Sequence, residues 1–302
     1  MTKIDIHADD YCLSPHTSEE IVDCIRAGKL DSISVVTNMS CYEQYARKFL
    51  QERNSFKRVP KLSIHLNFME GHCIAKEEDV QELVDKNGYF SISWGNLFIW
   101  NYSPKKYIEI KRQLKAEIKA QTDRFIEIFG DSQALRFDSH QHTHMIPICY
   151  WALLEVIVEQ CYKTEYIRIT KEPISPYLKN FSLWKTYKPI NWIKNFVLNF
   201  YALFMEKTIE KNKPSWQKDN VPMLLWGIIM SGRMDKERVY KLWPDMEHRA
   251  EKSGRCLEIL FHPGSATADE MGEEFCNKDA NKFYVSQGRH LEYECVLSLR
   301  ER

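Results

Sequence analysis

Short apolar runs alternate with longer amphipathic stretches along this chain. Lys3–His7, Ser32–Thr37, Leu62–Asn67, Leu135–Ser139, Tyr166–Thr170, Leu224–Ile229 and Leu257–His262 are apolar-rich or β-branched and read as strands. Between them, Thr17–Arg26, Tyr42–Arg53, Lys105–Phe129, Tyr150–Cys161 and Arg238–Glu247 read as helices. In Lys105–Phe129, residues Ile110, Leu114, Ile118 and Phe125 follow a near 3.6-residue period, and Gly130 stands just past its end. Ser18 is expected to cap the first helix and Gly28 to stop it. Repeated strand–helix units predict an α/β fold with a parallel sheet, closed in barrel-like fashion at this length of 302 residues.

Two stretches break the rhythm. Residues from about 70 to 103 are expected to form a loop region over the rim of the barrel. Residues from about 172 to 221 are aromatic and Lys-rich, with a helix expected over Ile190–Lys207. The whole chain, 1–302, is read as one domain carrying these two insertions.

Composition narrows the partners. Lys and Arg number 42, as do Asp and Glu, so the formal net charge is zero and no basic field points to nucleic acid. The longest apolar-rich stretch, Trp192 to Met205, is broken by Lys194, Asn195 and Asn199, too short and too polar to span a bilayer. The nine cysteines form no CxxC pair, and the first residues enter a strand without a signal-peptide pattern. These features place the expected compartment in the reducing cytoplasm.

The chemistry gathers where strands end. Asp138-Ser139-His140-Gln141-His142-Thr143-His144 follows an apolar run, and alternation puts His140, His142 and His144 on one side if the segment stays extended. His7-Ala8-Asp9-Asp10, Ser63-Ile64-His65-Leu66-Asn67 and Leu260-Phe261-His262-Pro263-Gly264 end other strands. In parallel α/β sheets such strand ends meet at one rim. Asp10, His65 and His140 are candidate metal ligands: one carboxylate and two imidazoles suit Zn²⁺ or Co²⁺ and leave coordination positions for water and substrate. Asp9 is the candidate general base, His262 the candidate proton donor, and Arg168 a cation able to keep a carboxylate ionised. His142, His144 and Asn67 are candidates for orienting ligands or contacting substrate. Taken singly, an Asp pair is commonly a turn or cap, a lone His a core residue, and a lone Arg half of an ion pair.

The ordered set resembles the YdjC/ChbG-type carbohydrate deacetylases, relatives of the NodB-type polysaccharide deacetylases. The resemblance rests on His7-Ala8-Asp9-Asp10-Tyr11-Cys12-Leu13-Ser14, on Ile64-His65-Leu66-Asn67 with Gly71, on Asp138 to Pro147, and on Glu258 to Gly264. It implies a distorted TIM-type barrel and metal-dependent N-deacetylation of acetylated amino sugars or chitooligosaccharides. It implies Asp10, His65 and His140 as the metal triad, Asp9 as base, Arg168 as the residue that steadies it, and His262 as acid. It implies Mg²⁺, where the ligand types point to Zn²⁺ or Co²⁺. Tyr11-Cys12 departs from the family's usual Phe-Gly, and the aromatic stretch from Tyr177 to Trp216 matches no motif. That stretch is open to sugar stacking, core packing or a homodimer contact. Competing readings are a sugar-binding or regulatory protein that kept the barrel without turnover, and another single-metal hydrolase such as a phosphoesterase.

Overall fold

The computed structural model describes residues 3–212, 223–276 and 278–300. The elements run β1 (Ile4–Tyr11), α1 (Pro15–Arg26), β2 (Ser32–Val35), α2 (Tyr42–Glu52), β3 (Lys61–Leu66), α3 (Trp94–Asn101) and α4 (Pro104–Phe129). They continue with β4 (Leu135–Ser139), α5 (Pro147–Glu159), β5 (Thr164–Ile167), α6 (Ser175–Lys179), α7 (Pro189–Asn212), β6 (Met223–Trp226) and α8 (Lys236–Lys252). β7 (Cys256–Phe261), α9 (Lys278–Tyr284) and α10 (Gln287–Ser298) complete the chain. All seven strands pair in parallel, in the order β5-β4-β3-β2-β1-β7-β6.

The sheet curls strongly. β5 and β7 are five strand spacings apart in that order, roughly 24 Å if the sheet were flat. Yet the Tyr166 hydroxyl on β5 donates to Glu258 Oε2 on β7 at 2.8 Å. The two edges approach each other where the Leu225 N–H donates to the Lys171 carbonyl at 2.9 Å. The result is a seven-stranded, incompletely closed barrel.

Period-two alternation decides what faces inward. Ile6, Ala8, Ile33, Val35, Ile64, Phe137, Ile167, Leu257 and Ile259 are buried in the hydrophobic core. The alternate positions, His7, Ser32, Ser34, Ser63, His65, Arg136, Asp138 and Glu258, are buried and polar. They hydrogen-bond across strands: His7 Nδ1 and Nε2 each lie 2.6 Å from the hydroxyls of Ser32 and Ser34, and Ser34 donates to Asp138 Oδ2 at 2.5 Å. The barrel interior is therefore a connected polar network, where many barrels stack Val, Ile and Leu.

Several local expectations shift. Ser14, not Ser18, caps α1: its side chain accepts from the Thr17 N–H while Ser18 donates to the Ser14 carbonyl. The helix starts earlier because Pro15 sits at its first position, where a missing N–H costs nothing. The stretch from 70 to 103 is more than a loop. It carries α3, capped by a reciprocal Ser93–Asn96 pair, and two antiparallel bridges, His72 with Tyr89 and Val84 with Phe90. The helix expected over Ile190–Lys207 is observed as Pro189–Asn212, and 213–221 of that insertion lies outside the described residues.

The second insertion is anchored by one buried side chain. Glu172 Oε1 accepts from the N–H groups of Gly227 and Ile228 and from the Tyr177 hydroxyl, while Oε2 accepts from Ile229 N–H. Glu172→Gln places an amide NH₂ against at least one of these N–H donors. It should cost about 1–3 kcal/mol, read as a lower urea midpoint at unchanged m.

Candidate metal centre

The site begins with an irregular strand. Simple alternation would send Asp9 and Asp10 to opposite faces of β1. Instead the register against β2 slips between Ala8, paired with Ile33, and Tyr11, paired with Val35, and Asp10 adopts φ 72°. This bulge turns both carboxylates into the barrel mouth. Asp10 Oδ1 lies 2.9 Å from His140 Nδ1 and 3.4 Å from His65 Nε2, and all three residues are buried. Asp10 Oδ2 is occupied by the buried Arg289 guanidinium at 2.7 Å.

The donor set suits a divalent ion. His65 Nδ1 lies 2.6 Å from Asp138 Oδ1, the carboxylate–imidazole pairing that orients a ligating nitrogen. Burial alone would lower the His65 pKa, but Asp9, Asp10 and Asp138 push it up to about 10. Without a metal, His65 therefore carries a proton in the place a cation would take, and metal binding must release it. Burial lowers the pKa of His140, leaving it neutral. His140 Nε2 faces the Tyr284 oxygen at 2.7 Å, and Tyr284 donates to Glu70 Oε1 at 3.1 Å. A proton moved from Nδ1 to Nε2 of His140 thus finds an acceptor. Burial opposes ionisation of Asp10, but His140 and Arg289 outweigh it and hold the carboxyl well below its usual range.

A second cluster lies alongside. Arg168 donates to both oxygens of Asp9 at 3.0 Å, and its guanidinium lies 3.3 Å from Asp138 and 2.7 Å from Glu258. His7 Nε2 is 3.1 Å from Asp9. Burial would raise the Asp9 pKa, but Arg168 foremost, then His65 and His7, hold it well below the carboxylate range. These partners favour the carboxylate form of Asp9.

The histidine string does not stay extended. β4 stops at Ser139, and His140–Met145 forms a 3₁₀ turn in which Gln141 and His142 take left-handed φ values of 53° and 57°. His140 is consequently directed to Asp10 and His65, while the His142 and His144 rings keep an edge contact at 6.4 Å between centroids, correcting the arrangement of all three on one side expected from alternation. His144 is fully buried, with Nδ1 2.6 Å from Ser139 Oγ and Nε2 2.8 Å from the Arg168 carbonyl, so it secures the backbone that carries Arg168. His142 lies 3.4 Å from Thr170 Oγ1, kept neutral by burial and by the nearby Arg168 charge. Asn67 is fully buried and shapes the turn after β3 through Asn38, Met69 and Glu70. His262, at the end of β7, packs its ring edge-on to Phe283, and its backbone N–H donates to Glu292 Oε2 at 2.6 Å.

Among the contributors with no assigned role in the sequence reading are Asp138, His7, Glu258, Tyr284 and Arg289. Asp138 and His7 carried a usable signal, since both occupy the polar phase of an alternating strand. Tyr284 and Arg289 come from α9 and α10, beyond every recognised motif, and only the fold brings them to the site.

A family model described as YdjC-like protein matches residues 3–300. The chain belongs to the YdjC-like family. This YdjC-like protein is 24% identical to the carbohydrate deacetylase of Xenopus laevis over 313 residues, covering 98% of this chain and 91% of that one. It is 26% identical to the carbohydrate deacetylase of Danio rerio over 171 residues, 57% of this chain and 50% of that one. It is 25% identical to the chitooligosaccharide deacetylase of Citrobacter koseri over 142 residues, 47% of this chain and 50% of that one. The latter two alignments thus span about half the length of those relatives. A crystal structure from Enterococcus faecalis V583, provisionally described as a cellobiose-phosphate cleavage protein, superposes with a TM-score of 0.62. It covers 98% of this chain and 91% of that one at 18% identity, which shows the shared fold.

Two predictions arise from this geometry. Asp138→Asn weakens the acceptor that orients His65, and should lower Zn²⁺ or Mg²⁺ affinity about 10–100-fold by calorimetry. His144 has its pKa lowered to about 4 by burial, below its unfolded value, so its stabilising contribution is complete above about pH 6.5 and is lost as pH falls through 4. Denaturation from pH 7 to 4 should therefore show a shallower loss of stability in His144→Gln than in the wild type.

Proposed function

We propose that this YdjC-like protein is a metal-dependent deacetylase, removing N-acetyl groups from acetylated amino sugars or chitooligosaccharides. One observation carries this reading: Asp10, His65 and His140 converge beside a second carboxylate, Asp9, kept ionised by Arg168. The relatives named carbohydrate deacetylase and chitooligosaccharide deacetylase support the substrate class.

Asp10, His65 and His140 would hold one divalent ion: Zn²⁺ or Co²⁺ by donor type, Mg²⁺ by family resemblance. Bound there, the ion supplies Lewis-acid polarisation of the acetyl carbonyl and acidifies water. The protein supplies the rest. With Oδ2 of Asp10 engaged by Arg289, Oδ1, which faces His140 and His65, is the oxygen of that carboxylate that would meet the ion. Asp9 accepts the proton lost by the attacking water as the new C–O bond forms. His262 gives a proton to the sugar nitrogen as the C–N bond breaks, so acetate and a free amine leave. Arg168 keeps Asp9 charged against its burial. His142 and His144 act as positioning residues around this chemistry, and Asn67 shapes the loop that follows His65. The nine cysteines are all free, which suits a reducing compartment such as the cytoplasm. Among the described residues no helix is long and apolar enough to cross a membrane.

Protein loaded in turn with Mg²⁺, Zn²⁺ and Co²⁺ should release acetate from N-acetylglucosamine oligomers. Asp9→Asn should lower kcat at least about 100-fold while elemental analysis still finds the metal. Absence of acetate from the wild type across a panel of acetylated amino sugars, with every metal, would overturn the reading.

A further inference from the structure

Arg289 is fully buried, although it comes from α10, after the last strand of the barrel. A guanidinium leaves water only where a matching charge and hydrogen-bond acceptors receive it. Its Nη1 donates to Asp10 Oδ2 at 2.7 Å and its Nε to the Gly264 carbonyl at 2.5 Å. Its flat face lies over the Phe283 ring, 5.4 Å from the centroid. Among the described residues, Asp10 is the one carboxylate in ion-pair contact with Arg289. The Gly264 anchor is itself rigid. Gly264 takes φ 91°, and a side chain there would come within 2.9 Å of the Thr17 backbone, so the loop after β7 is pinned against α1. Arg289 is therefore held from behind while it grips the outer oxygen of Asp10.

We infer that Arg289 selects the metal, favouring Zn²⁺ or Co²⁺ over Mg²⁺ or Ca²⁺. The inference rests on Asp10, His65 and His140 being the residues that hold the ion. With Oδ2 taken by the guanidinium, Asp10 has one oxygen to offer in place of two. Mg²⁺ and Ca²⁺ draw their affinity from oxygen donors, and Ca²⁺ often takes both oxygens of a carboxylate. Zn²⁺ and Co²⁺ also gain from imidazole nitrogen, and His65 and His140 supply two such donors. Repulsion between the guanidinium and a divalent ion acts alike on ions of equal charge, so it lowers affinity without choosing among them. The choice comes from the withheld oxygen. Lysine would not reproduce it, because a point charge on a flexible stem cannot hold Asp10 and Gly264 together as a planar fork does.

Equilibrium dialysis of the metal-stripped full chain against Mg²⁺ and Zn²⁺ together, read by elemental analysis, tests the proposal. The wild type should take up Zn²⁺ in preference. Arg289→Met keeps an unbranched side chain and frees Oδ2. It should move the ratio of Mg²⁺ to Zn²⁺ affinity toward Mg²⁺ by about 10-fold or more, the scale of effects from groups behind a ligand. Arg289→Lys should move it less. Loaded with Co²⁺, the wild type should show the intense visible bands of a four- or five-coordinate ion, a readout that needs no variant to fold. A purely structural Arg289 would weaken both ions together in Arg289→Met and leave the ratio unchanged, which overturns the proposal. A wild type that holds Mg²⁺ as tightly as Zn²⁺ also overturns it, as do the weak bands of six-coordinate Co²⁺. Uptake of no metal overturns this proposal and the deacetylase reading together, whereas metal uptake without acetate release overturns the deacetylase reading alone.

Discussion

One buried guanidinium holds this molecule's centre together. Arg168 is almost completely enclosed, and Asp9, Asp138 and Glu258 all lie within ion-pair distance of it. Three carboxylates in so small a volume would repel strongly at low dielectric without a cation among them. Removing one partner from such a buried cluster costs about 3–5 kcal/mol, because the remaining charges stay buried. Arg168 also joins elements far apart in the sheet. It follows β5, while Asp9 lies on β1, Asp138 on β4 and Glu258 on β7. The curl of the sheet and the protonation of the site therefore depend on the same ion pairs.

From that centre the network divides labour between carboxylates. Asp9 is bound by Arg168 and stays charged. Asp138 accepts from Ser34 and orients His65. Asp10 gives one oxygen to Arg289 and presents the other to two histidines. The bulge in β1 makes this division possible, because it places neighbouring residues on one side of a strand. Backbone strain at Asp10, and again at Gln141 and His142, sits where the functional groups gather.

Much of the fold was legible because strand and helix periods are local properties. Each of the seven strands was anticipated close to its place, since apolar alternation depends only on neighbours in sequence. Ends were less legible: the cap of α1 moved from Ser18 to Ser14 once Pro15 set the first turn. Helix α3 was hidden in a segment read as loop, because Trp94–Asn101 is short and lacks a marked periodic face. The last two helices went unread, and with them Tyr284 and Arg289, since no motif marks them.

By itself the sequence determined the α/β order, the polar phase of each strand, and a short roster of acid, histidine and arginine residues at strand ends. These follow from chemistry that travels with the residue or its near neighbours. Only the tertiary structure decided how the roster divides. The histidine string contributes one ring to the Asp10 cluster and turns another inward to the Arg168 backbone, because two left-handed residues break its extension. Asp10 acquires Arg289 from 279 positions away. Such pairings depend on curl, bulge and burial, which the chain acquires only when distant strands close around a common interior.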